Sequence, residues 1–76
     1  MPQLASPKEI GLRLYHLRIA RGWSGPLVAD KVEVTRAAYY GWECGQKGVS
    51  LEHALRLAEL YRLPVETIFG NGPSAV

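Results

Sequence analysis

The sequence predicts an all-α protein of five short helices, and three kinds of observation support this fold class. Serine or threonine residues that can cap helices precede most of the segments in which apolar side chains recur every three or four residues. No segment shows the period-two alternation of apolar and polar residues that marks a strand. Glycine or proline follows most of the helical segments within a few residues. With 76 residues, the chain is long enough for one small domain.

The first helix is predicted to start just after Ser6. The segment "SPKE" at 6–9 combines a capping serine, a proline at the first helical position and a glutamate placed to close a capping box. Gly22 is suited to end this helix. The apolar stripe between these two signals comprises Ile10, Leu14 and Leu17.

Two further helices are predicted in close succession. Ser24 caps the second, which runs to about Val32, and Pro26 is tolerated in its first turn because the N–H groups there are unpaired. Thr35 caps the third, which Gly45 ends. Only two residues separate the second helix from the cap of the third. Two short helices joined by so tight a turn are typical of the helix-turn-helix motif.

The remaining helices complete one domain. A fourth helix is predicted after Ser50 and is closed by Pro64, and a short fifth helix, "VETIF", stops at Gly70. The predicted organisation is a flexible N-terminus over residues 1–5, a helix-turn-helix domain over 6–70 and a short C-terminal tail over 71–76.

Composition and charge narrow the class of protein. Apolar residues at 47% and charged residues at 21% are typical of a globular chain, and no run reaches the roughly 18 apolar residues of a membrane helix. Residues 1–47 carry seven Lys or Arg and four Asp or Glu, whereas residues 48–76 carry two and three. A polyanionic partner would therefore meet the first part of the chain. The lone Cys44 favours a reducing compartment, so we expect a cytoplasmic protein.

Helical geometry divides the third helix into two faces. At about 100° per residue, Ala38, Tyr39 and Trp42 point inward. The opposite face carries small side chains beside one cation and one phenol, where a helix that is merely soluble would carry Glu, Lys or Gln. We interpret this face as a surface that a partner approaches closely; it comprises Arg36, Ala37, Tyr40 and Gly41. The predicted core comprises Tyr39, Trp42, Trp23, Leu27, Leu55 and Ala58.

Several short motifs stand in order along the chain. They are "IG" at 10–11, "LR" at 17–18, "RGWS" at 21–24, "LVADKVEVTR" at 27–36, "WECG" at 42–45 and "SLEHALRLAELYRLPVETIFG" at 50–70. In this order and spacing they resemble the Cro/C1-type (XRE) helix-turn-helix family of phage and bacterial repressors. The resemblance implies a compact five-helix, lambda-repressor-like domain and a sequence-specific regulator of transcription whose partner is double-stranded DNA.

The resemblance also implies roles for individual residues. The base-facing positions of the recognition helix are implied to be Arg36, Ala37, Tyr40 and Gly41. The positions implied to contact DNA phosphates are Ser24, Gly25, Thr35 and Lys47. The structural ion pair that joins the first helix to the end of the third is implied to be Arg18 with Glu43.

Three positions depart from the family pattern. Gly25 stands where the family usually has Gln, so only the backbone remains for DNA contact there. Glu33 occupies a turn position commonly held by Gly, which predicts strain or an altered turn because the position tends to need positive φ. Gly41 replaces a longer polar side chain. These losses leave few side chains for base readout, and they keep an alternative open: a protein-interaction module on the same fold, such as an antitoxin or anti-regulator.

The residues that could carry chemistry form no catalytic or metal-binding pattern. His16 and His53 lack the spacing of metal ligands, and Cys44 has no cysteine partner. No nucleophile–base constellation or phosphate-binding glycine loop is present in the sequence. We therefore expect a protein that is not an enzyme and that uses no metal or cofactor.

Two apolar patches are candidates for assembly. A homodimer on a palindromic or repeated operator needs a self-complementary patch. The favoured dimer candidates lie in the C-terminal region, where small members of the family usually pair, and are Leu60, Val65 and Phe69. The first helix carries a second stripe opposite its core face, which we expect the tail or a protein partner to cover; it comprises Leu12, Tyr15 and Ile19.

Overall fold

The computed structural model describes residues 4–70, which form five α-helices and confirm the predicted all-α class. Their bounds are α1 Pro7–Arg21, α2 Gly25–Lys31, α3 Arg36–Glu43, α4 Leu51–Tyr61 and α5 Val65–Phe69. The only extended pairing within this range is an isolated antiparallel bridge between Leu4 and Gly70. Residues 1–3 of the predicted flexible N-terminus and 71–76 of the predicted tail lie outside the described residues. No helix in the described part is long and apolar enough to cross a membrane.

Side-chain caps fix where the first four helices begin. At α1, Ser6 Oγ accepts a hydrogen bond from Glu9 N at 3.2 Å, and Ser6 N donates to Glu9 Oε1 at 3.1 Å, which completes the predicted capping box. Ser24, Thr35 and Ser50 each accept a bond from a backbone N–H three residues later. Each cap satisfies a donor that the helix itself leaves unpaired, so the predicted starts are confirmed.

The core takes side chains from all five helices. Tyr39, Trp42 and Ala58 are buried as predicted, whereas Trp23 is half-buried. The buried cluster comprises Leu14, Val28, Ala29, Val32, Tyr39, Trp42, Ala54, Leu57, Ala58, Tyr61, Ile68 and Phe69.

Two residues predicted for the core are instead exposed. Leu27 is 40% exposed and Leu55 is 53% exposed. The buried residues of α2 are Val28 and Ala29, the positions that directly follow Leu27. A short helix whose apolar residues are consecutive can be rotated to bury either of two neighbouring stripes. Packing against the other helices decides between them, and the sequence pattern does not contain that information.

Trp23 joins α1 to α2 and α4. The Trp23 ring centroid lies 5.7 Å from the Tyr61 centroid. Lys31 Nζ lies 5.1 Å and the Arg21 guanidinium carbon 5.4 Å from the same Trp23 centroid. Arg21 Nη2 also donates to the Tyr61 carbonyl at 3.0 Å. The two cations cover aromatic surface that would otherwise face water, and these contacts secure the start of the helix-turn-helix unit.

The segment before α1 is held against the end of α5. Ala5 is buried, and its N–H donates to the Phe69 carbonyl at 2.9 Å. Arg13 of α1 donates from Nη1 to the carbonyls of Ile68 at 3.0 Å and Gly70 at 2.6 Å. These bonds satisfy carbonyl groups that the C-terminal end of a helix leaves unpaired, so α5 is attached to the domain from two sides.

Candidate nucleic-acid interface

The turn between α2 and α3 has an unusual backbone conformation. Glu33 has φ of 63°, which lies in the left-handed region. A non-glycine residue is strained there, as the presence of glutamate at this turn position predicted. Arg56 of α4 supports this conformation, because its Nη1 donates to the Val32 carbonyl at 3.2 Å and to Glu33 Oε1 at 3.1 Å. Two hydrogen bonds from α4 therefore hold the turn between the two helices of the motif.

The face of α3 opposite the core is open at its N-terminal half. Arg36, Ala37 and Tyr40 are exposed, and 67% of Tyr40 is accessible. Together with Gly25 and Pro26 at the start of α2, they line a groove of about 500 Å³. The structure thus brings three of the residues predicted to face bases next to a residue predicted to contact a phosphate.

Gly41 does not lie on an open surface as the helical wheel predicted. It is buried, because the aliphatic part of Lys47 lies across it: a Cβ built on Gly41 would be 3.3 Å from both Cγ and Cδ of Lys47. Lys47 N also donates to the Gly41 carbonyl at 3.2 Å. The glycine therefore makes room for the lysine stem, and its contact with a base stays a prediction. Within residues 4–70, neither Lys47 nor Arg36 takes part in a salt bridge.

Arg18 and Glu43 also line this groove. Arg18 Nε donates to Glu43 Oε2 at 2.7 Å and Nη2 donates to Oε1 at 3.0 Å, a bidentate pair with side chains only 15% and 12% exposed. Arg18 Nη1 donates in addition to the Trp23 carbonyl at 3.2 Å. The hydrogen bond to Glu43 raises the pKa of Arg18 above its usual value. The pair joins α1 to the end of α3, as the resemblance implied, and it leaves Arg18 committed to the protein.

Tyr39 extends this pair into a network that the sequence did not reveal. Its hydroxyl donates to Glu43 Oε2, while its ring packs edge-on against Trp42 at 5.9 Å between centroids. Burial raises the pKa of the Tyr39 phenol, and the hydrogen bond to Glu43 raises it further, so the phenol stays a donor. The spacing of four residues between Tyr39 and Glu43 is a signal that could have predicted this bond.

Gly11 sets the closeness of α1 to the recognition helix, and sequence reasoning missed its role. It is buried, and a Cβ at this position would be 2.4 Å from the Glu43 carbonyl oxygen and 2.5 Å from that of Trp42. Only a residue without a side chain permits this approach. The last turn of α3 therefore lies directly on the backbone of α1.

The residues predicted to form the dimer do not form a single patch. Phe69 is buried in the core, with 6% exposed. Leu60 lines a groove with charged residues of α2 and α4, whereas Val65 and Phe69 line a separate apolar groove of about 390 Å³. The other apolar side chains of this second groove include Leu4, Val49 and Leu51. Among these, Leu4 and Leu51 are strongly exposed.

The histidines and the cysteine have structural neighbours rather than a shared site. The His53 ring packs on Trp42 at 5.3 Å, and its Nδ1 lies 2.8 Å from Ser50 Oγ. His16 stacks beside Tyr15 on the outer part of α1. Cys44 is a half-buried free cysteine at the C-cap position of α3, where its backbone N–H donates to the Tyr40 carbonyl.

Comparison with known proteins agrees with this geometry. A family model described as a helix-turn-helix domain matches residues 9–68. No curated protein matches the chain significantly. Among solved structures, the chain is similar to the restriction-modification controller protein C.AhdI from Aeromonas hydrophila, with 33% sequence identity and a TM-score of 0.77 over 83% of this chain and 96% of that one. The resemblance drawn from the sequence motifs is thus confirmed, and the chain belongs to the family of helix-turn-helix domains.

Proposed function

We propose that this protein is a DNA-binding regulator of transcription that places α3 in the major groove. The observation that carries the proposal is the open groove in which Arg36, Ala37 and Tyr40 stand beside the start of α2. A helix inserted in the major groove reads base edges with its outward side chains, while the adjacent helix N-terminus contacts a phosphate. The similarity to a restriction-modification controller protein supports a regulatory role.

Base readout rests on few side chains in this proposal. The Arg36 guanidinium can donate two parallel bonds to O6 and N7 of a guanine, and the Ala37 methyl group suits contact with a thymine methyl. Tyr40 adds an aromatic ring with a hydroxyl group at the same face. Gly41 contributes indirectly, because it lets the stem of Lys47 cross α3 and direct its ammonium group toward the DNA backbone. The remaining proposed phosphate contacts are Ser24, Gly25 and Thr35.

We further propose that the protein binds DNA as a homodimer. A recognition helix with so few long side chains discriminates weakly alone, and two half-sites one helical turn apart roughly double the available free energy. The face that fits this role contains Leu4, Leu51, Leu55 and Val65, because it presents exposed leucines beside an apolar groove. It retains Val65 from the sequence prediction and leaves out both Phe69, which is buried, and Leu60, which lines a different groove.

The proposed regulator acts without catalysis, by occupying DNA or by contacting polymerase, and it works in the cytoplasm. Two observations support this: the sequence holds no nucleophile–base constellation, and the lone Cys44 suits a reducing compartment.

Equilibrium binding to DNA over a series of salt concentrations tests the DNA proposal. Fluorescence anisotropy on the DNA upstream of its own gene should show a log–log slope near −5, the value for a dimer that neutralises about six phosphates. Random DNA of the same length is the control and should bind at least tenfold more weakly. An affinity that does not change with salt would refute DNA binding and support the protein-interaction module instead.

Sedimentation equilibrium tests the dimer. Leu51→Glu should produce a monomer and weaken operator binding, because a carboxylate would be buried in the apolar interface. Ile19→Glu is the matched control, an exposed apolar residue on α1, and it should leave the dimer intact. A dimer broken by Ile19→Glu but not by Leu51→Glu would assign the interface to α1, and a monomeric unaltered protein would reject both faces.

A further inference from the structure

The outer side of α1 carries a further groove, which neither the core nor the proposed dimer uses. It has a volume of about 420 Å³ and is lined by Lys8, Leu12, Tyr15, Tyr40, Glu43 and Cys44. We call it the α1 groove. Leu12 is 56% exposed, and Ile19, one turn beyond Tyr15, is 51% exposed. Removing large apolar side chains from water is favourable, so the exposed stripe of Leu12, Tyr15 and Ile19 is a candidate binding surface.

The spacing of the stripe suits a helical partner. Leu12, Tyr15 and Ile19 lie at i, i+3 and i+7 of α1, so they form a line of about 10 Å along one face of the helix. A line of this length matches two turns of a partner helix, whose own apolar residues recur at the same spacing. The groove between α1 and α3 supplies the depression into which one partner side chain can insert.

The charges around the α1 groove favour an acidic partner. Glu43 is paired with Arg18, and Glu9 does not line the groove but accepts hydrogen bonds from Ser6 in the capping box. Two basic side chains of α1 are directed elsewhere, because Arg13 donates to the carbonyls of Ile68 and Gly70 and Arg21 donates to that of Tyr61. Lys8 is therefore the lining charge without an ion-pair partner within residues 4–70. A second copy docked through the same face would bring two Lys8 side chains together, whereas a carboxylate-rich helix complements them.

Tyr40 connects this surface to the proposed DNA face. It lines both the α1 groove and the groove in which Arg36 and Ala37 stand. A ring held against a helix in the α1 groove is not free to face a base pair at the same time. Because they share Tyr40, we expect occupancy of the α1 groove to compete with insertion of α3 into DNA.

From these observations we infer that the α1 groove is the docking site for an acidic amphipathic helix of a second protein, which antagonises DNA binding at Tyr40. The binding step rests on the α1 groove alone. The antagonism rests also on the proposed function, so the two parts are measured separately.

Binding is tested with the full-length ¹⁵N-labelled protein and a synthetic helical peptide. The peptide carries Leu at i, i+4 and i+7 with Glu between them, and a matched peptide carries Lys in place of Glu. We expect the acidic peptide to shift the amide resonances of Lys8, Leu12 and Tyr15 and to bind at least tenfold more tightly than the basic one. Equal affinity of the two peptides, resonance shifts confined to other helices, or no binding by either would overturn the inference.

Two variants on the same helix locate the contact. Leu12→Ser should weaken the acidic peptide at least tenfold, because it removes an apolar anchor without changing the charge. Ala20→Ser adds the same hydroxyl group outside the α1 groove and should leave affinity within threefold of the unaltered protein. If Ala20→Ser acts as strongly as Leu12→Ser, the effect is non-specific and the docking site is rejected. Circular dichroism spectra establish that both variants are folded.

Competition is measured by anisotropy of labelled DNA. The acidic peptide should displace the DNA from the unaltered protein and fail to displace it from Leu12→Ser. A ternary complex of protein, peptide and DNA would refute the antagonism while leaving the docking site intact. If the protein binds no DNA but binds the peptide as described, the proposed regulatory function fails and the docking site stands.

Discussion

Replacing Gly11 by alanine should destabilise the protein although alanine is the better helix former. The added Cβ would lie 2.4 Å from the Glu43 carbonyl oxygen, and real Cβ contacts essentially never fall below 3.0 Å. The backbones of α1 and α3 would therefore have to separate by at least about 0.6 Å at this point. The opposing atoms belong to the backbone, so no rotation of a side chain relieves the contact.

The expected magnitude is the difference of two effects. Overpacking of a well-packed site costs about 1–3 kcal/mol, with rigid backbone contacts at the upper end. Replacing glycine by alanine within a helix contributes about 1 kcal/mol in the opposite direction. We expect Gly11→Ala to lower the free energy of unfolding by about 2 kcal/mol, and to lower the melting temperature by about 8–16 °C for a domain of this size.

Thermal and urea denaturation followed by circular dichroism measure this change. Gly41→Ala is the matched control, because its added Cβ would meet only the flexible stem of Lys47, at 3.3 Å. That lysine can move by a few tenths of an ångström, so Gly41→Ala should be neutral or stabilise by up to about 1 kcal/mol. A Gly11→Ala protein as stable as the unaltered one, or one stabilised as much as Gly41→Ala, would show that the α1–α3 contact does not require glycine.

Three further predictions concern the recognition unit. A double-mutant cycle with Arg18→Ala and Glu43→Gln should give a coupling free energy of about 1–3 kcal/mol in denaturation experiments, because the pair is largely desolvated. A coupling within the roughly 0–1 kcal/mol typical of exposed pairs would reject a structural role for this pair. Arg36→Ala should cost about 1–3 kcal/mol on the specific operator and relax the preference at one base pair per half-site, whereas Lys47→Ala should weaken all DNA alike and flatten the salt slope by about 1 per half-site. Equal losses on specific and random DNA would make Arg36 a phosphate contact. Glu33→Gly should leave the free energy of unfolding unchanged or raise it by up to about 1 kcal/mol. The change relieves the left-handed strain at φ 63° but loses the exposed ion pair with Arg56. A melting temperature lowered by more than about 8 °C would contradict this prediction.

The starts of the helices were predictable because their causes are local. Ser6, Ser24, Thr35 and Ser50 each bond to an N–H group three residues further along the chain, so the signal and its effect lie within one turn. The tight turn between α2 and α3 is likewise a matter of a few consecutive residues. The strain predicted at Glu33 was also local, because it follows from the backbone conformation of a single position.

The resemblance to a known family supplied part of the candidate site that local patterns do not contain. Arg18 and Glu43 are 25 positions apart in the chain, and no periodicity predicts that they meet. The hydrogen bond from Tyr39 to Glu43 is different, since its spacing of four residues was readable, yet its importance follows from burial at the α1–α3 junction.

Only the tertiary structure decided which of two neighbouring faces each short helix buries. Leu27 and Leu55 belong to plausible apolar stripes, but α2 and α4 are rotated so that Val28 and Ala54 are buried instead. Such rotations depend on the simultaneous packing of five helices, and they shift burial by one residue without any change in the local pattern.

The packing of the helices also decides which surfaces are covered and which are open. Gly41 is covered by Lys47 because the loop after α3 folds back. Leu60 and Val65 lie in different grooves although they are only five positions apart. The sequence by itself determined the number of helices, their starts and the motif that α2 and α3 form. Which apolar side chains remain exposed for a partner was decided by how the helices pack, because exposure is a property of the whole assembly of helices and not of any one segment.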